Sequence, residues 1–502
     1  MKKYLLLIAL AAATAVSCEK QFETKDSGYM TGTQAAQKVE QDSEFLSSYV
    51  SGFYAYMVQY NTQASSGTVH DDFGLLSVLN NLELMTSDMV CVGTPNWGQY
   101  DYIQDYGQEE YRRTFQHWNF FYTMISNANA VIDFFVPGED PTDATARGYL
   151  GQAYALRAFA YLHLLYQYVD PVDASGALAV NLPSVPMVYA ARDGFDQAAI
   201  TERSGRNPMS LVMAHIEENL NAALTLLDGY QRASKNEVDL SVAQGIAARY
   251  YLFAQKWEQA AAMAKAASAG YTLMDKERLY AGFNEVNDAE VMWGFNHTTE
   301  TQTAYASFFS HMCNDASGYA GVGQMVKCID KSLYDKIPDT DYRKGLFNTA
   351  DGDPAAVATG AKYPYASRKF GMVDQWLQDY IFMRAAEMKL IEAEAYARLT
   401  MGPEAVAVMK EFMAKRDPAY GKGSVTVEDV LLQRRIELWG EGFSYFDLRR
   451  NGLGCVRNYE GSNHPEWAKM DFPAHANTWR FQIPQKELQN NTEITEADQN
   501  EW

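Results

Sequence analysis

Apolar residues recur at helical spacing along most of the chain. In residues 114–135, Phe115, Trp118, Phe121, Tyr122, Ile125, Ala128 and Ile132 form one broad stripe, and Pro137-Gly138 ends it. Residues 144–169 repeat the pattern in an Ala- and Leu-rich segment that stops at Asp170-Pro171. Its alanines allow a neighbouring helix to approach closely. A further helix is predicted over 208–228, with Pro208 near its first turn. Residues 240–270 read as two helices joined near Gln255-Lys256. Later helices are predicted at 379–399, at 403–415 and from Thr426 onward.

These helices come in pairs. Ala247, Tyr251, Trp257, Ala260 and Ala264 give the 240–270 pair a small-and-aromatic pattern that resembles a tetratricopeptide repeat. One such pair cannot cover its own apolar face, so pairs stack. The predicted fold is mostly α: tetratricopeptide-like helix pairs forming a curved right-handed scaffold, with long loop-rich insertions and a few short strands. The insertions are expected at about 61–113, 171–206 and 271–378, where helical periodicity lapses. The last contains the strand-like "AEVMWGFN". Loops of such length usually carry function, so the repeats read as frame and the insertions as working surface.

The N-terminus reads as an address. Lys2 and Lys3 precede an apolar run, Tyr4 to Ala13, that is too short to span a bilayer. Ala15 and Ser17 lead to Cys18, and a small residue followed at once by Cys resembles the lipobox of bacterial lipoproteins. The expected layout is a signal peptide at 1–17, a tether at 18–43 lipidated on Cys18, and one helical domain at 44–502. Several acyl chains anchor a protein firmly where one would not. Cys91, Cys313, Cys328 and Cys455 form no C-x-x-C motif and pair with no His at zinc spacing, so no metal or cofactor is expected. Export permits a Cys313–Cys328 disulfide, but the expectation is four free, buried thiols.

Composition refines this picture. With 47% apolar and 21% charged residues, the 502-residue chain is globular. Its formal charge is −21, or −23 once Lys2 and Lys3 leave with the signal. Such a surface repels phosphate backbones and argues against nucleic acid as a partner. The 33 tyrosines suit helix interfaces and also surfaces that bind polar, ring-shaped ligands.

Charge concentrates in "RRIELWGEGFSYFDLRRNG", residues 434–452. Leu431, Leu432, Ile436 and Trp439 are helically spaced, Gly440 and Gly442 turn the chain, and Phe443, Phe446 and Leu448 resume the apolar face. Arginines beside packed rings must find carboxylates, and Glu437, Glu441 and Asp447 are at hand. The stretch shows no adjacent nucleophile or base, so it reads as a structural ion-pair clamp.

The same stretch resembles the C-terminal signature of the SusD/RagB family of outer-membrane lipoproteins. "RAFAYLHLLYQYVDPV" at 157–172, "WNFFYTMISNANAVID" at 118–133, "DYIFMRAAEMKLIEAEAYAR" at 379–398 and "FQIPQKELQNNTEI" at 481–494 agree with it in order. The resemblance implies a cell-surface, lipid-anchored protein that does not catalyse. It implies binding of a nutrient, most often an oligosaccharide, and its delivery to a TonB-dependent outer-membrane transporter. Sugar rings stack on flat aromatics, which directs attention to rings in loops. Trp97 lies among turn residues in "CVGTPNWGQYDYIQDY", 91–106, with Asn96, Tyr100 and Tyr102 beside it. Tyr319, in "YASFFSHMCNDASGYAGVG", 305–323, is the second candidate, whereas Phe308, Phe309 and Trp293 read as core. Alternatives are the same fold carrying a peptide, a repeat scaffold without a small ligand, and a lipid-anchored glycoside hydrolase. The last would need two carboxylates facing each other across a cleft.

Overall fold

The computed structural model describes residues 45–62, 69–93, 98–373 and 376–502. The expected signal peptide, Cys18 and the whole of the tether lie outside the described residues. The elements that build the frame and the site are α1 (Phe45–Met57), α2 (Leu75–Leu84), β1 (Met89–Val92), α3 (Gln99–Tyr102), α4 (Arg112–Ile132), α5 (Ala144–Tyr168), α6 (Met209–Leu226), α7 (Leu240–Phe253) and α8 (Trp257–Ala267). There follow β2 (Val291–Phe295), α9 (Phe308–Met312), β3 (Val326–Ile329), β4 (Tyr380–Arg384), α10 (Ala385–Arg398), α11 (Gly402–Met413), α12 (Val427–Glu437) and α13 (Ser444–Arg450).

The long helices pack in chain order: α4 on α5, α5 on α6, α6 on α7, α7 on α8, α8 on α10, and α10 on both α11 and α12. This is the stack that the paired pattern predicts. Local chemistry sets several starts. Asp143 caps α5 by accepting from Ala146 N–H, and Asp239 caps α7 through Val242 N–H. Thr426 and Asp429 close a reciprocal capping box on α12. The buried face of α4 is wider than its predicted stripe, adding Phe120, Met124 and Val131, because α1 covers a second side of it.

Two predictions need correction. Residues 379–399 do not form one helix: Tyr380–Arg384 is a strand, antiparallel to β2, with Phe295 opposite Tyr380 and Val291 opposite Arg384. A strand partner 85 residues earlier in the chain overrides the local helical spacing. Nor is 61–113 an exposed insertion throughout. All ten residues of α2 are buried, and β1 pairs antiparallel with β3, Val92 opposite Val326. Trp293, Phe308 and Phe309 are core, and the four cysteines are free and buried. Among the described residues, no helix is long and apolar enough to cross a membrane.

The 434–452 stretch is a hub of buried ion pairs. Arg434 meets Asp447 at 2.7 Å, and Arg450 meets Asp447 at 2.8 Å and Glu394 at 2.6 Å. Arg435 reaches Asp88 and Arg449 reaches Asp170, each at 2.6 Å. The glutamates take their cations from outside the stretch. Glu437 holds Arg416 at 2.8 Å, Arg384 at 3.0 Å and Arg343 at 3.3 Å. Glu441 holds Lys369 and Arg384, each at 2.6 Å. Burial alone would raise Glu437, but Arg416, Arg384 and Arg343 hold it well below the usual carboxylate range. Glu290 and Asp341 complete a set in which four cations face four carboxylates. Gly440 and Gly442 take φ of 77° and 88°, which a side chain would strain. A Cβ on Gly442 would also lie 2.5 Å from Leu79 Cβ.

Glu83 on α2 joins this hub from the far end of the chain. It accepts from the backbone N–H of Gly440 at 3.2 Å and of Ser444 at 3.3 Å. Burial, with Asp88 nearby, pushes its carboxyl up to about 8. The folded protein therefore favours the protonated form, and this group's contribution to stability is lost as pH rises from about 4.5 to about 8. Glu83→Gln cannot titrate, so its melting temperature is expected to gain on wild type by about 2 °C or more between pH 5 and pH 8.5. Thermal scans at the two pH values check this; a constant gap contradicts it.

Candidate functional site

The β1–β3 pairing brings the two loop regions singled out in the sequence together. One region leaves β1 at Gly93 and re-enters described structure at Gly98; the other, 313–325, runs into β3. Their backbones touch: a Cβ on Gly93 would lie 2.3 Å from the Gly323 carbonyl oxygen. The root of the early region is pinned electrostatically. The buried Arg113 guanidinium bridges Asp71 at 2.6 Å and Asp101 at 2.7 Å, and Arg112 adds 2.8 Å to Asp71. Burial would raise Asp71, but Arg113 and Arg112 hold it at about 2. Burial prevails at Asp101, which is pushed up to about 6 against the pull of Arg113.

Above this root sits a cluster of rings. The Tyr319 hydroxyl is 2.5 Å from His70 Nδ1, and Tyr319 N–H donates to the Ser310 hydroxyl at 3.1 Å. Around the Tyr319 ring stand His311 at 5.2 Å, Tyr305 at 5.9 Å and His70 at 6.0 Å, centre to centre. Tyr60 lies 6.4 Å from His70. Tyr305 is 53% exposed, and Tyr60, His70 and Tyr319 are half-buried. His311, beneath them, is neutral: burial, then Lys327, lowers its imidazole to about 3. Its Nε2 lies 3.1 Å from the His70 carbonyl oxygen and holds that backbone in place. The result is a partly exposed, ring-lined rim on a buried base. Phenol faces take the C–H faces of a sugar, and phenol hydroxyls take its hydroxyls.

Tyr319 thus joins the cluster. Tyr100 is 42% exposed but stacks at 4.6 Å on Tyr106, which also meets Tyr111 and lies under the Arg113 guanidinium. Tyr102 is a correction. It is fully buried, its hydroxyl paired with His464 and its ring under Arg457, so it presents no face to a ligand. Its alternation with Tyr100 on a short helix turns one ring out and the other in. Asn96 and Trp97 lie outside the described residues. Sequence reasoning missed Tyr305, although it opens the quoted 305–323 stretch, because Tyr319 stood beside glycine and Tyr305 did not. It missed Tyr60 and His70 entirely, since nothing local marks them; they arrive through the isolated Tyr60–Phe73 bridge and the long-range contact with Tyr319.

The chain matches the SusD family over residues 362–502 and a SusD-like family described as "starch-binding associating with outer membrane" over residues 34–252. No curated protein matches it by sequence. Solved structures of the same fold include a SusD-like carbohydrate binding protein from Bacteroides vulgatus, 25% identical, with a TM-score of 0.77 over 94% of this chain and 99% of that one. Surface glycan-binding protein A from Bacteroides uniformis is 18% identical, with a TM-score of 0.65 over 91% of this chain and 99% of that one. A laminarin-binding SusD-like protein is 19% identical, with a TM-score of 0.64 over the same shares.

Proposed function

We propose, because the chain belongs to the SusD/RagB family, that its ring-lined rim binds a neutral oligosaccharide and presents it to a TonB-dependent outer-membrane transporter. The observation that carries this reading is the meeting of Tyr60, His70, Tyr305 and Tyr319 on one face, with Tyr305 more than half exposed. Relatives named for glycan, laminarin or carbohydrate binding share the fold over nearly their whole length. In this reading Asn96, Trp97 and Tyr100 of the early loop also contribute to ligand binding. The helix-pair side meets the transporter, and acyl chains on Cys18 hold the protein to the outer membrane.

The protein binds and does not hydrolyse. A glycosidase acid needs a raised carboxyl at the ligand. The two carboxyls that burial raises furthest, Glu83 and Asp101, are 0% and 2% exposed and are occupied by Gly440, Ser444 and Arg113. Calorimetric titration of residues 19–502 with maltoheptaose, laminariheptaose and cellohexaose tests the binding reading. At least one is expected to bind, with no released sugar after overnight incubation. Binding of none, or release of reducing ends, contradicts it. Cys18→Ser is expected to move the full-length protein from the membrane fraction to the soluble one.

A further inference from the structure

Two residues along the chain from Tyr305, at Ser307, opens a small pocket of about 10 Å³, room for one water-sized group, that the ring cluster does not use. It is lined by His297, Gln302, Ser307, Trp376, Gln378 and Tyr380. The same short segment builds both places: Tyr305 faces the rim and Ser307, two residues on, faces the pocket. Gln302 and Trp376 are partly exposed and form its mouth.

Three of the lining side chains end in buried polar atoms with no hydrogen-bond partner: His297 Nε2, Gln302 Oε1 and Gln378 Nε2. His297 is 8% exposed and Gln378 2%. An unpaired buried polar atom costs free energy, and folded proteins keep few of them, so three around one pocket await a partner. Among the described residues, the pocket's neighbours leave no charge to offer. Asp379 is used up by Asn296 Nδ2 at 2.9 Å and by the backbone N–H of His297 at 3.1 Å and of Val286 at 3.0 Å. Burial lowers the His297 imidazole to about 4, so the ring is neutral at pH 7. Trp376 holds a φ of 59°, in the left-handed region that bulky residues rarely enter. Backbone strain of this kind clusters where a ligand is clamped.

We infer that this pocket is a second subsite, taking one neutral hydroxyl group of a saccharide whose ring lies against Trp376. The inference rests on the glycan-binding reading of the adjacent rim. A hydroxyl both donates and accepts, which suits a pocket offering an amide N–H, an amide oxygen and an imidazole nitrogen. A carboxylate, phosphate or ammonium would find no counter-charge there among the described residues, and an alkyl group would leave the three polar atoms unpaired.

The test is calorimetry of residues 19–502 with maltoheptaose, laminariheptaose and cellohexaose, on wild type, Gln378→Leu and His297→Phe, alongside melting curves without sugar. Each variant is expected to bind the wild type's sugar about tenfold more weakly. Without sugar, Gln378→Leu is expected to melt at the wild-type temperature or above, because it removes an unpaired polar group. Full affinity in both variants, while Tyr305→Ala/Tyr319→Ala binds weakly, overturns this inference alone. So does a lowered melting temperature with unchanged affinity, which makes Gln378 a structural group. If wild type binds none of the three sugars, the rim reading fails and takes this inference with it.

Discussion

Tyr305→Ala/Tyr319→Ala is expected to bind neutral oligosaccharide about 100-fold more weakly than wild type while melting within about 3 °C of it. A ring stacked on a partner is worth roughly 0.5–1.5 kcal/mol beyond the area it covers. Two rings lost together, with their covered area, come to about 2.7 kcal/mol, or two decades of affinity. The stability cost is small because Tyr305 is largely in solvent and Tyr319 is half-buried. Tyr319→Phe keeps the ring and loses the hydroxyl contact with His70, so it is expected to retain most of the affinity. Calorimetry with the best-bound sugar from the panel checks all three proteins. Affinity within twofold of wild type in the double variant contradicts the role given to these rings.

Glu437→Ala is expected to lose about 3–5 kcal/mol of stability. Three guanidinium groups converge on this carboxylate: Arg343, Arg384 and Arg416, all 1% exposed or less. Removing it leaves charge in the interior that no solvent reaches. The control is Glu411→Ala, whose carboxylate pairs with Lys389 at 3.0 Å but is 60% exposed. An exposed pair of that kind is worth at most about 1 kcal/mol. Urea denaturation of both variants makes the comparison. A Glu437→Ala midpoint as close to wild type as that of Glu411→Ala contradicts the clamp.

The frame was legible because its determinants are local. The stripes in 144–169 and 240–270, the turn at Gln255-Lys256 and the cap at Thr426 are each written within a few residues. The clamp was legible in kind but only partly in detail. Arginines beside rings must be paired, and they are. Yet Glu437 and Glu441 look to Arg343, Lys369, Arg384 and Arg416, whose positions only the fold reveals. The strand at Tyr380–Arg384 was lost for the same reason, since its partner lies far upstream. At the rim, Tyr319 was found from its glycine neighbour. His70, 249 residues away, and the pocket under Trp376 are products of tertiary folding alone. Tyr102 shows the converse: a ring in the right loop whose helical phase turns it inward.

The most direct measurement is a crystal structure of residues 19–502 with the best-bound oligosaccharide of the panel. Sugar rings are expected to lie against Tyr305 and Tyr319, with one hydroxyl group reaching His297 and Gln378. Sugar seated on the helix-pair side, with the rim and the pocket empty, would contradict this.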